Sequence, residues 1–124
     1  MMSDKRVDDY KDLIVWKRSV ELAKKAYAAA RKLPREETFS LGDQIRRSAI
    51  SIPSNIAEGY GRTGSKEYSR FLSIARGSAY ELETQLLLCV EFGYLQPNEI
   101  APSIELIKEV TKILTVIIAK LGNG

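Results

Sequence analysis

The stretch Phe71-Leu72-Ser73-Ile74-Ala75-Arg76-Gly77-Ser78-Ala79-Tyr80-Glu81-Leu82-Glu83-Thr84-Gln85-Leu86-Leu87-Leu88-Cys89 decides the fold. After the opening pair Phe71 and Leu72, its apolar positions Ala75, Ala79, Leu82, Leu86 and Cys89 step by three and four. This is the 3.6-residue period of a helix with one buried face. A strand would need alternation by two. The one β-branched apolar run, Val116-Ile117-Ile118, sits inside a helical period of its own. The helix is expected over residues 65–92, capped by Ser65 and ended by Gly93 in a left-handed cap, a length of about 42 Å at 1.5 Å per residue.

The same period recurs on either side. A first helix is expected over residues 12–32, with Asp12 as its cap, Leu13, Trp16, Val20, Ala23, Tyr27 and Ala30 on its buried face, and Pro34 beyond its end. A second, over residues 39–59, carries Leu41, Ile45, Ala49, Ile52 and Ile56, with Pro53 inside it to bend it. A fourth, over residues 98–121, follows Pro97 and shows Ile100, Ile104, Ile107, Thr111, Leu114, Ile118 and Leu121. Its second apolar set, Val110, Ile113, Val116 and Ile117, widens the apolar face. Such a face suits either contact with another subunit or a broad core within the chain. Short connections favour antiparallel neighbours. The expectation is one domain, an all-α, antiparallel up-down-up-down four-helix bundle over residues 12–122 with a proline-bent second helix, preceded by a flexible tail over residues 1–11.

Composition narrows the function. The chain has 124 residues, 44% of them hydrophobic and 28% charged, which suits one globular domain. Apolar runs such as 86–90 and 116–119 fall far short of the roughly 18 to 20 residues that cross a bilayer. The single cysteine, Cys89, lies among leucines and reads as a small core hydrophobe in a reducing compartment, so a cytoplasmic setting is expected. Histidine is absent, which removes the commonest general base and metal ligand. The loop Gly59-Tyr60-Gly61-Arg62-Thr63-Gly64 follows a helix and lacks a Walker lysine. Glu81 and Glu83 are about 200° apart around a helix and cannot act as a catalytic pair. No catalytic, cofactor, metal or small-molecule site is expected, and no enzymatic activity.

The net charge of +3 is unevenly spread. Residues 13–35 hold seven basic side chains against one acidic, whereas residues 77–124 hold three against six. On the first helix Lys17, Lys24 and Arg31 are spaced by sevens, and Arg18, Lys25 and Lys32 repeat the spacing one residue on. With Arg46, Arg47, Arg62, Lys66 and Arg70 they form the candidate nucleic-acid-binding set, since rows about 10 Å per step can follow a phosphate backbone. The alternative is a solvated helix face.

In the second helix Gln44, Arg47, Ser51, Asn55, Glu58 and Arg62 recur at three or four, a polar stripe beside the apolar one. Glu58 can pair with Arg62, and serines can answer the backbone groups that Pro53 leaves open. In the third helix the small residues Gly77, Ser78 and Ala79 would admit a close neighbour, and Arg46 or Arg47 could meet Glu81 or Glu83 across a helix contact.

At these residues the chain resembles the bacterial four-helix-bundle proteins encoded in intervening sequences of 23S ribosomal RNA genes, over about residues 10–121. The resemblance rests on Tyr10-Lys11-Asp12-Leu13-Ile14-Val15-Trp16, on Arg46-Arg47-Ser48 with Ser51-Ile52-Pro53-Ser54-Asn55-Ile56-Ala57-Glu58-Gly59 and Arg62, and on Ala75-Arg76-Gly77-Ser78 with Glu81-Leu82-Glu83-Thr84-Gln85. A related branch looks like the accessory protein of diversity-generating retroelements, a basic homopentamer that binds a reverse transcriptase and nucleic acid. The resemblance implies a homo-oligomer, a pentamer by that analogy. RNA, DNA or a protein such as a reverse transcriptase would be its partner. Arg47, Ser51, Pro53, Asn55, Glu58, Gly59, Gly77, Ser78, Glu81 and Glu83 would be structural or interface residues. Two readings follow, an RNA-binding accessory protein and a structural or adaptor oligomer.

Overall fold

The structure, a computed structural model, describes residues 9–122. It contains four long helices, α1 (Ile14–Arg31), α2 (Leu41–Tyr60), α3 (Ser65–Glu91) and α4 (Pro97–Gly122), with 3-10 turns at Tyr10–Asp12 and Arg35–Glu37. Among the described residues there is no strand. Each helix packs on two neighbours: α1 on α2 and α4, and α3 on the same two. The pairs α1/α3 and α2/α4 are the diagonals. Leu22, Ile45, Ile52, Ile56, Leu72, Leu82, Leu86, Ile107 and Leu114 are fully buried along the axis, each contributing about 1.5–3 kcal/mol relative to exposure.

The expected stripes of α2 and α3 are the buried ones, except that Phe71 is only half-buried. On α1 the buried face lies one residue away from expectation, about 100° around the helix. Val15, Ser19, Leu22, Ala26, Ala29 and Ala30 face the core, while Trp16, Val20, Ala23 and Tyr27 are half-buried on the flank. The reason is size and an overlooked serine. Three alanines let α1 lie close to the axis, and Ser19 is admitted because its hydroxyl donates to the Trp16 carbonyl at 2.7 Å. On α4 the two expected apolar sets mix. Val110 is fully buried with Ile107 and Leu114, whereas Ile104, Ile113, Ile117, Ile118 and Leu121 are half-buried and Val116 is exposed.

The ends differ from expectation in detail. Asp12 belongs to the 3-10 turn, and Leu13 occupies the position before α1. The expected tail is therefore structured from Tyr10, whose ring meets Trp16 edge-on at 5.4 Å; residues 1–8 lie outside the described residues. Ser65 is the first residue of α3, behind Gly64 at φ 91, and makes no capping bond. Pro53 lies inside α2, which continues through it. Beside it, Asn55 Nδ2 donates to the Ser51 carbonyl at 2.8 Å. α3 ends as expected, with Gly93 at φ 80 and the Tyr94 amide donating to the Cys89 carbonyl at 2.9 Å.

One carboxylate ties two connections together. Glu37, between α1 and α2, accepts from the Ser40 hydroxyl at 2.6 Å and the Leu41 amide at 3.4 Å, while its other oxygen accepts from the Tyr94 hydroxyl at 2.7 Å. It thus does the capping that Ser40, at the start of α2, does not. The Ser40 hydroxyl first, then that of Tyr94, hold its carboxyl below the ordinary carboxylate range. A lowered carboxyl stabilises the fold above its unfolded range and loses that contribution as pH falls through the folded value. Glu37→Gln is expected to melt below wild type near neutral pH. The gap in Tm should close as pH falls toward about 3, measured by circular dichroism.

The closest packing is at Gly59, not Gly77. A Cβ on Gly59 would lie 2.8 Å from the Phe71 Cβ and 3.2 Å from the Tyr68 carbonyl oxygen, whereas one on Gly77 would have nothing within 4 Å. Gly59→Ala is expected to cost about 1–3 kcal/mol in urea unfolding. Gly77→Ala should add about 0.5–1 kcal/mol to the stability of the single chain by helix propensity.

Candidate functional site

The candidate basic residues divide by partner. On α1, Lys17, Lys24, Lys25 and Arg31 are exposed, and none makes an ion pair among the described residues. The neighbouring row is drawn toward α4. Arg18 bridges Glu109 at 2.8 Å and Glu21 at 3.0 Å. Glu109 foremost raises its guanidinium further above its ordinary range. Lys32 meets Glu99 at 3.2 Å, and the Gln96 amide with Lys32 holds the Glu99 carboxyl low.

On α2 and α3 most cations are answered locally. Arg46 Nη2 donates to the Thr38 carbonyl at 2.7 Å and lies 3.9 Å from Asp43, which also takes the Arg47 Nε at 2.8 Å. Arg62 pairs with Glu58, as the spacing implies. Arg70 lies 3.4 Å from Glu67, and the guanidinium groups of Arg62 and Arg70 both lie against the Phe71 ring. Lys66 is exposed. The expected ionic link from Arg46 or Arg47 to Glu81 or Glu83 is not formed. Asp43, three and four residues away on the same helix, takes both arginines at lower cost in side-chain ordering.

The polar stripe of α2 meets α3 at one point. Ser51 and Ser78 hydroxyls lie 2.8 Å apart, and Asn55 Nδ2 donates to the Ser51 Oγ at 2.9 Å. Gln44, Arg47, Ser48 and Ser51 from α2, with Ser78, Glu81 and Gln85 from α3, line an open groove of about 420 Å³. Of the residues singled out by motif, the groove gathers Arg47, Ser51, Ser78 and Glu81. It leaves Pro53, Asn55, Glu58, Gly59, Gly77 and Glu83 outside.

Gln85 is the member that sequence reasoning missed as a site residue. It is only 7% exposed, and its Oε1 has no hydrogen-bond partner. An unpaired buried amide oxygen costs about 1–3 kcal/mol, so the groove is polar without being self-satisfied. The available signal was its place three residues after Leu82, on the buried period.

Cys89 is a buried thiol, pushed up to about 11 by burial and then by the Glu37 charge. It is a poor nucleophile at neutral pH. Among the described residues no helix is long and apolar enough to cross a membrane, and no cluster of three acidic or sulfur ligands could hold a metal ion.

The sequence profile of the 23S rRNA-intervening sequence protein family matches residues 11–116. No curated protein matches the chain. Among solved structures, a protein of unknown function from the S23 ribosomal protein family of Bacteroides thetaiotaomicron is similar. It has 27% identity and a TM-score of 0.79, with 85% of this chain and 98% of that chain covered. On the profile match across most of its length, the chain belongs to the 23S rRNA-intervening sequence protein family.

Proposed function

We propose that this protein is a non-enzymatic assembly module, a bundle that acts by binding copies of itself and a macromolecular partner in the cytoplasm. An antiparallel up-down-up-down course is part of this reading. It is supported by the pairing of Arg18 with Glu109 and of Lys32 with Glu99, and by the approach of Ser51 to Ser78 and of Gly59 to Phe71. The observation that carries assembly is the outer face of α3. Beyond its buried stripe it exposes Ile74, Tyr80, Leu87 and Leu88, from 37% to 50% of each. Large apolar side chains on a helix whose other face already fills the core mark a contact surface. A ring of five, with a reverse transcriptase as the bound protein, is the form that the retroelement-accessory analogy favours.

Light scattering tests it. Wild type is expected at a multiple of the 13.9 kDa chain mass, and Ile74→Asp with Leu88→Asp at the single-chain mass with an unchanged Tm. A wild-type protein that stays monomeric at every concentration removes the reading.

A second reading, RNA binding, is favoured by a separate observation. Lys17, Lys24, Lys25 and Arg31 have no ion-pair partner among the described residues, while six of the other seven candidate cations are paired or hydrogen-bonded. Fluorescence anisotropy with labelled RNA should show affinity falling steeply between about 50 and 200 mM salt. The Lys17→Glu, Lys24→Glu, Arg31→Glu variant should lose binding. No binding by wild type at low salt would eliminate RNA.

A further inference from the structure

The geometry points to the α2–α3 groove as a docking site for α1 of a second copy of this chain, with Glu81 and Gln85 receiving a lysine or arginine from it. The inference rests on the assembly reading and names its contact. Three features of the groove fix the chemistry of the occupant. Gln85 brings an amide that is 7% exposed with an oxygen lacking any donor. Glu81, one turn away on α3, is exposed and has no ion pair among the described residues. Arg47, on the opposite wall, is held by Asp43 of its own helix and leaves Glu81 unanswered. An incoming ammonium or guanidinium group supplies a charge and donors to Glu81, and a donor to the Gln85 oxygen once that amide turns toward the groove it lines. Gly77, one turn before Glu81, presents no side chain and has open space above it, so a helix backbone can come near there.

The occupant is on the same molecule's far side. α1 carries a half-buried apolar flank of Val20, Ala23 and Tyr27, bordered by Lys24 and Arg31, around a shallow concavity of about 330 Å³. Its apolar part matches the exposed Ile74 and Leu88 beside the groove, and its charge matches Glu81. Within one chain α1 and α3 are diagonal and do not pack, so the two surfaces meet only between copies. Because they are different surfaces, the contact is head-to-tail and leaves an open assembly with one free donor face at one end and one free acceptor face at the other until a ring closes.

A charge swap in the full-length protein, read by analytical ultracentrifugation, decides it. Glu81→Lys alone and Lys24→Glu with Arg31→Glu are each expected to raise the dissociation constant at least about tenfold, and the combined variant should return to within about threefold of wild type. Gln85→Leu should weaken assembly while leaving the Tm of the subunit unchanged or higher, since it removes a buried oxygen that nothing satisfies. Wild-type assembly that is indifferent to Glu81→Lys, or a combined variant that is not rescued, overturns the groove contact alone. A wild-type monomer overturns the assembly reading and this contact with it.

Discussion

The structure depends on the approach of α2 to α3. At Gly59 the two helices come so near that a single added carbon would meet Phe71 and Tyr68. That approach is the reason Ser51 and Ser78 can share a hydrogen bond, and it draws the apolar stripes of both helices into one continuous core. α2 and α3 then form a platform on which the other two helices settle, one on each flank. Gly59 is buried in the last turn of α2, where its conformational freedom would otherwise destabilise the helix. The packing it permits offsets that cost.

Two of the buried polar residues find an acceptor on their own helix, whereas Ser78 meets Ser51 across the α2–α3 contact. Ser19 bonds back to Trp16, and Thr111 to Ile107 at 2.8 Å. Neither bond reaches a neighbouring helix. They let small polar residues occupy core positions where a larger apolar one would push the helices apart. Gln85 differs from both, a long amide whose buried oxygen is unanswered among the described residues, and it lies at a groove where motif residues of two helices converge.

How legible this was in the sequence depends on the helix. α2 and α3 could be read almost residue by residue because Ile45, Ile52, Ile56, Leu82 and Leu86 are large, apolar and in period, even though Ser48, Ser78 and Gln85 are buried beside them. α1 could be found but not oriented. Trp16 and Tyr27 are by far the larger side chains, yet it is Ala26 and Ala29 that are buried. Among site residues, spacing alone gave Glu58 with Arg62 and the basic rows of α1. It could not show that Glu99 and Glu109, some seventy to ninety positions away, would neutralise part of one row. The pairing of Asp43 with Arg46 and Arg47 has the same kind of spacing as Glu58 with Arg62 and is open to the same reading, but a link to Glu81 or Glu83 is the one expected in its place. The family resemblance and the profile match agree on membership; the particular partner is a matter of surface chemistry, which periodicity does not encode.

The alanine-lined face of α1 has a consequence for how the molecule opens. α2, α3 and α4 each place three or more large side chains fully inside, while α1 places only Val15 and Leu22 there, beside Ala26, Ala29 and Ala30. The share of the core that α1 itself fills is thus made of smaller side chains, with Leu13, Trp16 and Ala23 partly buried against it. Side chains this small hold a helix less firmly, so α1 is expected to be the first helix to open in hydrogen exchange.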